Sequence, residues 1–226
     1  RDYAVTGVQT CALPIFDIIH ARSEAEGHLA QAITGIPYFY RLFGYEYALN
    51  LGGSRATFTM HIPKAQEGSP EACTLRDASW EDMPLVQHLY DQRRSTGIVS
   101  VQMSEAWWRY QFAHWLTSVT GEHWHIQIII DAHGHPQGYL ITRSKRWENS
   151  LPVIDVAFAN SANVQAMMPS LLRALAAQGE RLPARERDLE PFTRIAFHLG
   201  DSHPVYDVLS QDLTNAQDPP YAWYVR

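Results

Sequence analysis

Apolar positions along the chain switch between a period of two, which marks strands, and a period near 3.6, which marks helices. Asp17–Gly27 places Ile18, Ile19 and Ala21 ahead of Arg22, Glu24 and Glu26, the pattern of the end of an amphipathic helix closed by Gly27. Leu29–Thr34 reads as a strand, broken by Gly35. Pro37 suits a helical first turn, because the N–H it lacks would be unpaired there. Tyr38–Phe43 then fits one to two helical turns, stopped by Gly44, which tolerates a left-handed cap. Tyr45–Leu51 alternates aromatic with small or polar side chains, as a strand does, and Gly52-Gly53 turns the chain. Ala56–Ile62 alternates too and is expected to pair with Tyr45–Leu51 as a hairpin. Pro63–Ala72, polar and holding Gly68 and Pro70, is the best linker.

A second unit starts near Cys73. CTLRDAS is a strand leading into a cap, with Ser79 or Asp82 holding the next helix. Asp82–Thr96 has Met83, Val86, Leu89 and Tyr90 at helical spacing. Ser104–Thr117 is a second helix, rich in aromatics (Trp107, Trp108, Tyr110, Phe112, Trp115). Trp124–Asp131 and Gln137–Arg143 form a hairpin across Ala132–Pro136. Ser150–Phe158 is a third strand. Asn160–Gln178 is a helix with Val164, Met167, Met168, Leu171, Leu172 and Leu175 on one face. After the charged loop Leu182–Pro191 come a strand at Phe192–Leu199, a short helix at His203–Leu213 and a strand at Tyr221–Arg226. The fold class is α/β (α+β), a mixed sheet flanked by helices.

The 226 residues, 46% hydrophobic and 12% aromatic, suffice for a true core in one or two domains. A net charge of −6 without a basic stripe argues against nucleic acid as a partner. No apolar run is long enough for a membrane span, and Arg1–Phe16 lacks the apolar core of a signal peptide. Cys11 and Cys73 are isolated, so redox and zinc-ribbon motifs are unsupported; a reducing cytoplasm is the expected location, one disulfide between them the lesser alternative. His123, His125, His133 and His135 form two H-x-H pairs around one hairpin, but no carboxylate or cysteine completes a ligand set at usual spacing, so no metal is expected.

The run ITGIPYFYRLFGYEYAL, strand, short helix and strand with Tyr40-Arg41-Leu42-Phe43-Gly44-Tyr45 at its centre, resembles the C-terminal half of a GNAT N-acetyltransferase. It is most similar to the enhanced-intracellular-survival branch, which carries tandem GNAT-like domains. The resemblance is specific at Ile33–Leu49 and diffuse over the rest of Asp17–Arg226. It implies an acetyl-CoA-dependent N-acetyltransferase acting on a small-molecule amine or a lysine side chain, with homo-oligomers of the full-length protein. It also implies Tyr40 as the general acid and Ile33, Thr34, Phe39 and Arg41 as cofactor-binding residues. The chemistry suits a tyrosine: a neutral phenol with a reference pKa near 10 can protonate a departing thiolate. The competing reading makes Tyr40 a core aromatic with a surface hydroxyl.

GNAT enzymes hold the CoA pyrophosphate on backbone N–H groups of a glycine-bearing turn at a helix N-terminus. In the second unit that turn falls at Ala157–Val164 (AFANSANV), which has no glycine, so this unit is expected to keep the fold without the cradle. Its Tyr206 stands where Tyr40 does in the first, since AITGIPYFY and AFHLGDSHPVY share strand, glycine, proline and tyrosine, and is expected to be structural. Residues 1–16 (RDYAVTGVQTCALPIF) resemble translated adaptor sequence rather than a natural start. The expected organisation is 1–16 non-native, 17–62 the C-terminal part of a first GNAT domain, 63–72 a linker and 73–226 a second, degenerate GNAT-like domain. Such a fragment is expected to be inactive alone. The alternative is a non-catalytic binding or oligomerisation domain, with the aromatic helix as pocket or contact.

Overall fold

The computed structural model describes residues 8–35, 38–50, 55–97, 100–117, 123–185, 191–200, 203–209 and 222–226. The chain forms two units, residues 1–53 with 218–226, and residues 54–217.

The first unit holds helix α1 (Val8–Ala25), strand β1 (Ala32–Gly35), a short 3-10 helix (Phe39–Phe43), strand β2 (Glu46–Asn50) and the chain's last strand, β9 (Ala222–Val225). β9 lies between β1 and β2 and runs antiparallel to both, pairing Tyr224 with Ile33 on one side and Tyr47 on the other. Gly44 ends the 3-10 helix in the left-handed region, φ 82°, and its N–H reaches back to Arg41 and Tyr40 carbonyls. Two expected boundaries move. The strand begins at Ala32 because Leu29 stands fully in solvent. The helix begins at Val8, so it runs back into the segment read as non-native, and Phe16 within it stacks on Phe43 at 4.2 Å. Phe43, Tyr45 and Tyr224 are the buried core, with Phe16, Ile33, Phe39 and Tyr40 packed on it.

The second unit is a six-stranded sheet in the order β3-β8-β7-β6-β5-β4. Its strands are β3 (Arg55–Phe58), β4 (Cys73–Asp77), β5 (Trp124–Asp131), β6 (Pro136–Arg143), β7 (Ser150–Phe158) and β8 (Arg194–Phe197). Among the described strands only β7 and β8 pair in parallel, joined as a parallel pair must be by a crossover, here helix α4 (Val164–Arg181). α4 and the short α5 (Val205–Val208) cover one face around Ile129, Leu140, Leu151 and Phe197. α2 (Met83–Arg94) and α3 (Glu105–Thr117) pack a second cluster around Ile128, Tyr139 and Trp108. Alternation explains both layers, because each strand sends every second side chain to each face. Ser79 and Asp82 form a reciprocal capping box, and Arg76 holds Asp82 at 2.6 Å. α4 starts four residues later than the pattern suggests because Asn163 caps it, Oδ1 accepting from the Ala166 N–H at 3.2 Å.

The expected hairpin between Tyr45–Leu51 and Ala56–Ile62 does not form. β3 instead pairs antiparallel with β8, Ala56 opposite Ala196, as an edge strand of the second sheet. β9, at the end of the half read as the second domain, is the middle strand of the first sheet. Each sheet thus takes a strand from beyond the boundary at 63–72. The sequence period marks a strand but not its partner.

Candidate functional site

Tyr40 sits on the 3-10 helix, with its half-buried ring over the C-terminal end of β1. Gly35 permits this: a Cβ there would lie 2.6 Å from both Cε2 and Oη of Tyr40. The ring is walled by Phe39 at 5.2 Å, Tyr224 at 5.7 Å, Phe16 at 6.2 Å and Tyr45 at 6.4 Å between centroids. Its hydroxyl makes no hydrogen bond to any described residue. Tyr38, in the left-handed region at φ 65°, donates its N–H to Tyr224 Oη at 3.0 Å, which anchors the start of the helix to β9.

Beside Tyr40 runs a polar chain that sequence reading did not find. Tyr45 Oη donates to Gln31 Oε1 at 3.0 Å, so it accepts from His20 Nε2 at 3.1 Å. Burial pushes the Tyr45 phenol up; burial, then Arg226, lowers the His20 imidazolium. Tyr45 followed Gly44 in the quoted run, but nothing in the sequence tied it to His20, 25 positions away.

Of the other expected site residues, Ile33 and Thr34 are half-buried on β1, whose outer edge pairs with no described strand. Phe39 is half-buried in the aromatic wall. Arg41 is exposed and paired to Glu46 at 3.0 Å. The structure therefore brings Ile33, Phe39 and Tyr40 into one cluster and leaves Arg41 on the surface.

The second unit offers the comparison. Tyr206 is buried, donates to the Phe197 carbonyl at 3.0 Å and accepts from the Leu199 N–H at 3.4 Å. Arg55 lies over its ring at 4.4 Å. Its hydroxyl is committed where that of Tyr40 is open. The β7–β8 ladder ends at Val153 and Phe197, and β7 runs on to Phe158 paired with β6. Past the last pair, buried His203 donates from Nε2 to the Val156 carbonyl at 3.1 Å and accepts the Val205 N–H on Nδ1 at 3.2 Å. The N-terminus of α4 is closed by its own Asn163. Each of these groups is engaged with nearby backbone: Tyr206 with Phe197 and Leu199, His203 with Val156 and Val205, Asn163 with Ala166.

Among the described residues no group of three or more His, Cys, Asp or Glu gathers for a metal. Asp131 instead ties the hairpin turn, Oδ1 accepting the His133 and His135 N–H groups at 2.9 Å each. Cys73 is a free, buried thiol; the side chain of Cys11 lies outside the described residues. In α3, Trp108 is core against Tyr90, while Trp107 and Tyr110 stack on one another outside, and the side chain of Trp115 is outside the described residues. No helix among the described residues is long and apolar enough to cross a membrane.

No protein-family model matches the sequence, and no curated protein matches it. Solved structures do share its fold. A probable N-acyltransferase from Enterococcus faecalis aligns over 99% of this chain and 50% of its own, at 13% identity and TM-score 0.60. A GCN5-related N-acetyltransferase from Anabaena variabilis aligns over 99% and 51%, at 16% identity and TM-score 0.58. Eis1 from Mycobacterium abscessus aligns over 99% and 53%, at 15% identity and TM-score 0.52. The chain thus spans about half the length of these structures and has the mixed α/β fold of GNAT N-acetyltransferases.

Proposed function

We propose that the chain is part of an acetyl-CoA-dependent N-acetyltransferase whose general acid is Tyr40. The observation that carries the reading is the Tyr40 hydroxyl, held in place by an aromatic wall yet hydrogen-bonded to no described residue. In the reaction, the neutral nitrogen of a small-molecule amine or a lysine side chain attacks the thioester carbonyl. A C–N bond forms, the C–S bond breaks, and the nitrogen loses its proton to water. The thiolate takes the phenolic proton of Tyr40, which solvent restores. Acid catalysis of this kind contributes roughly a hundred- to ten-thousand-fold.

The thioester's amide-bearing arm fits the open edge of β1, where an extended chain of amides can add as a strand would. Ile33, Thr34 and Phe39 are read as the residues for that arm, and Arg41, now paired with Glu46, as the cation for phosphate. Activity in the cytoplasm and homo-oligomers of the whole protein belong to the same proposal. The 54–217 unit is read as a degenerate, non-catalytic GNAT-like module, because its Tyr206 hydroxyl is committed to the Phe197 carbonyl and its α4 N-terminus is capped by Asn163.

The test is release of CoA from acetyl-CoA, followed with a thiol reagent over a panel of amines and lysine peptides, beside calorimetry of acetyl-CoA binding. This chain by itself is expected to be inactive; in the whole protein the expected result is binding, release with at least one acceptor, and a loss of a hundredfold or more in Tyr40→Phe. Undiminished release in Tyr40→Phe removes the tyrosine from the mechanism. Neither binding nor release leaves the chain a binding or oligomerisation domain.

A further inference from the structure

The 3-10 helix that carries Tyr40 is entered through a strained residue. Tyr38 stands at φ 65° and ψ −20°, in the left-handed region that a residue with a Cβ seldom adopts. Such a conformation persists only where its surroundings enforce it. The Tyr38 ring is 75% exposed and its side chain makes no cap bond, so neither holds the residue there. The N–H groups at the start of a helix have no acceptor within it. The Tyr38 N–H finds one outside, Tyr224 Oη at 3.0 Å, 186 positions further along the chain.

Tyr224 is a fixed point. It is 3% exposed, on the middle strand β9, paired with Ile33 on one side and Tyr47 on the other. Its ring meets that of Tyr47 at 6.1 Å and that of Tyr40 at 5.7 Å between centroids. Tyr40 follows Tyr38 by two residues, so the backbone angles of Tyr38 set the direction in which the Tyr40 side chain leaves the helix. The far end of the helix is pinned separately, the Tyr45 N–H reaching the Tyr40 carbonyl and the Gly44 N–H the Arg41 carbonyl, each at 3.3 Å. Gly35 is the floor under the ring. The near end is held by the Tyr224 hydroxyl.

We propose that Tyr224 is a positioning residue for Tyr40: its hydroxyl keeps Tyr38 in the left-handed turn and so aims the Tyr40 phenol at the departing sulfur. The role rests on the reading of Tyr40 as general acid. An acid must lie within hydrogen-bond reach of the atom it protonates, and a misplacement of about 1 Å can cost on the order of a hundredfold. Tyr224 acts through the backbone and gives no proton to the substrate.

Tyr224→Phe keeps the ring against Tyr40 and Tyr47 and removes only the acceptor. Tyr38→Gly removes the need for it, because glycine takes a positive φ without a Cβ penalty. CoA release is measured in the whole protein for Tyr224→Phe, for Tyr38→Gly with Tyr224→Phe, and for Tyr40→Phe. Tyr224→Phe is expected to lower kcat about tenfold with the KM for acetyl-CoA within about twofold, and the double variant to regain kcat to within about threefold of the parent. In this chain, labelled on tyrosine and read by carbon–proton NMR, the Tyr40 ring signals are expected to move in Tyr224→Phe and to return in the double variant. Full release in Tyr224→Phe beside an impaired Tyr40→Phe would overturn this proposal alone. A loss that Tyr38→Gly does not restore would also overturn it, since the hydroxyl would then not act through Tyr38. Full release in Tyr40→Phe would remove the general acid, and the positioning role with it.

Discussion

Tyr40 lies across Gly35 so closely that a Cβ on Gly35 would stand 2.6 Å from both Cε2 and Oη of the tyrosine. The ring has nowhere to retreat, because Phe16, Phe39, Tyr45 and Tyr224 surround it. Gly35→Ala is therefore expected to destabilise the first unit by about 1–3 kcal/mol through overpacking. Urea unfolding reads the effect. In the Gly35→Ala, Tyr40→Ala double variant the clash is gone, so the two costs should not add. Simple additivity would show that the methyl is accommodated elsewhere.

The two tyrosines at matching places should respond oppositely to loss of the hydroxyl. Tyr40 Oη bonds to no described residue, so Tyr40→Phe is expected to leave unfolding free energy within about 0.5 kcal/mol. Tyr206 Oη is buried between the Phe197 carbonyl and the Leu199 N–H, so Tyr206→Phe is expected to cost about 1–3 kcal/mol by leaving the carbonyl unpaired. Equal costs would mean that the open hydroxyl of Tyr40 has a structural partner in solution.

Much of this was legible in the chain. Ser150–Phe158 and Trp124–Asp131 were read to the residue, because both have long, strongly patterned apolar runs. The Gly44 stop and the Ser79–Asp82 cap followed from local chemistry. Tyr40, Phe39 and Ile33, named as site residues by resemblance, pack on one cluster around Phe43, Tyr45 and Tyr224. What was not legible is long-range. The period of two in Ala56–Ile62 says nothing of β8, some 140 positions away, and Trp223 and Tyr224 give no hint that they lie between β1 and β2. The bonds of His125 were hidden for the same reason: its partners Asp77 on β4 and Gln178 on α4 are 48 and 53 positions away.

Acid should weaken the second unit before its carboxylates titrate. Burial, then Arg93, lowers His203 below its usual range, against a smaller opposing pull from Asp155. Its neutral tautomer is required, since Nδ1 accepts the Val205 N–H. A folded-state value below the unfolded one means that the unfolded chain binds the proton first. The contribution is thus complete above about pH 6.5 and is lost as pH falls below it. His198, lowered by burial and by Arg143 and Arg194, acts in the same direction. Stability from denaturant titrations should be level above neutrality and fall as pH drops below about 6.5. His203→Gln should flatten part of that slope, and an unchanged slope would remove His203 from the account.

Breaking the buried pair on the opposite face should cost more than any surface change. Arg93 meets Asp155 at 3.0 Å, and Asp155 also accepts the Tyr139 hydroxyl at 2.7 Å. The Asp155 carboxylate is mostly buried, at 11% exposure. Arg93→Met leaves it without its cation and is expected to cost about 3–5 kcal/mol. Replacing both, as Arg93→Met with Asp155→Asn, is expected to recover part of that loss, since the uncompensated charge goes with the partner. A single-variant cost below 1 kcal/mol would show the pair to be solvated.

The strand exchange makes the sharpest demand. β9 supplies the middle strand of the three-stranded sheet, and its Tyr224 is buried against Phe43 and Tyr45. Removing residues 218–226 therefore takes away both ladders of that sheet together with a core aromatic. Isolated strands cannot hold a sheet, so the 1–53 segment should lose its slowly exchanging amides. The 54–217 unit contributes no strand to that sheet and keeps β3 as its own edge, so it should retain its protection. Hydrogen exchange on the truncated chain separates the two outcomes. Protection lost in β1 and β2 but kept in β5, β6 and β7 is expected. Protection retained throughout would mean that β1 and β2 pair without β9, and loss throughout would mean that the two units unfold as one.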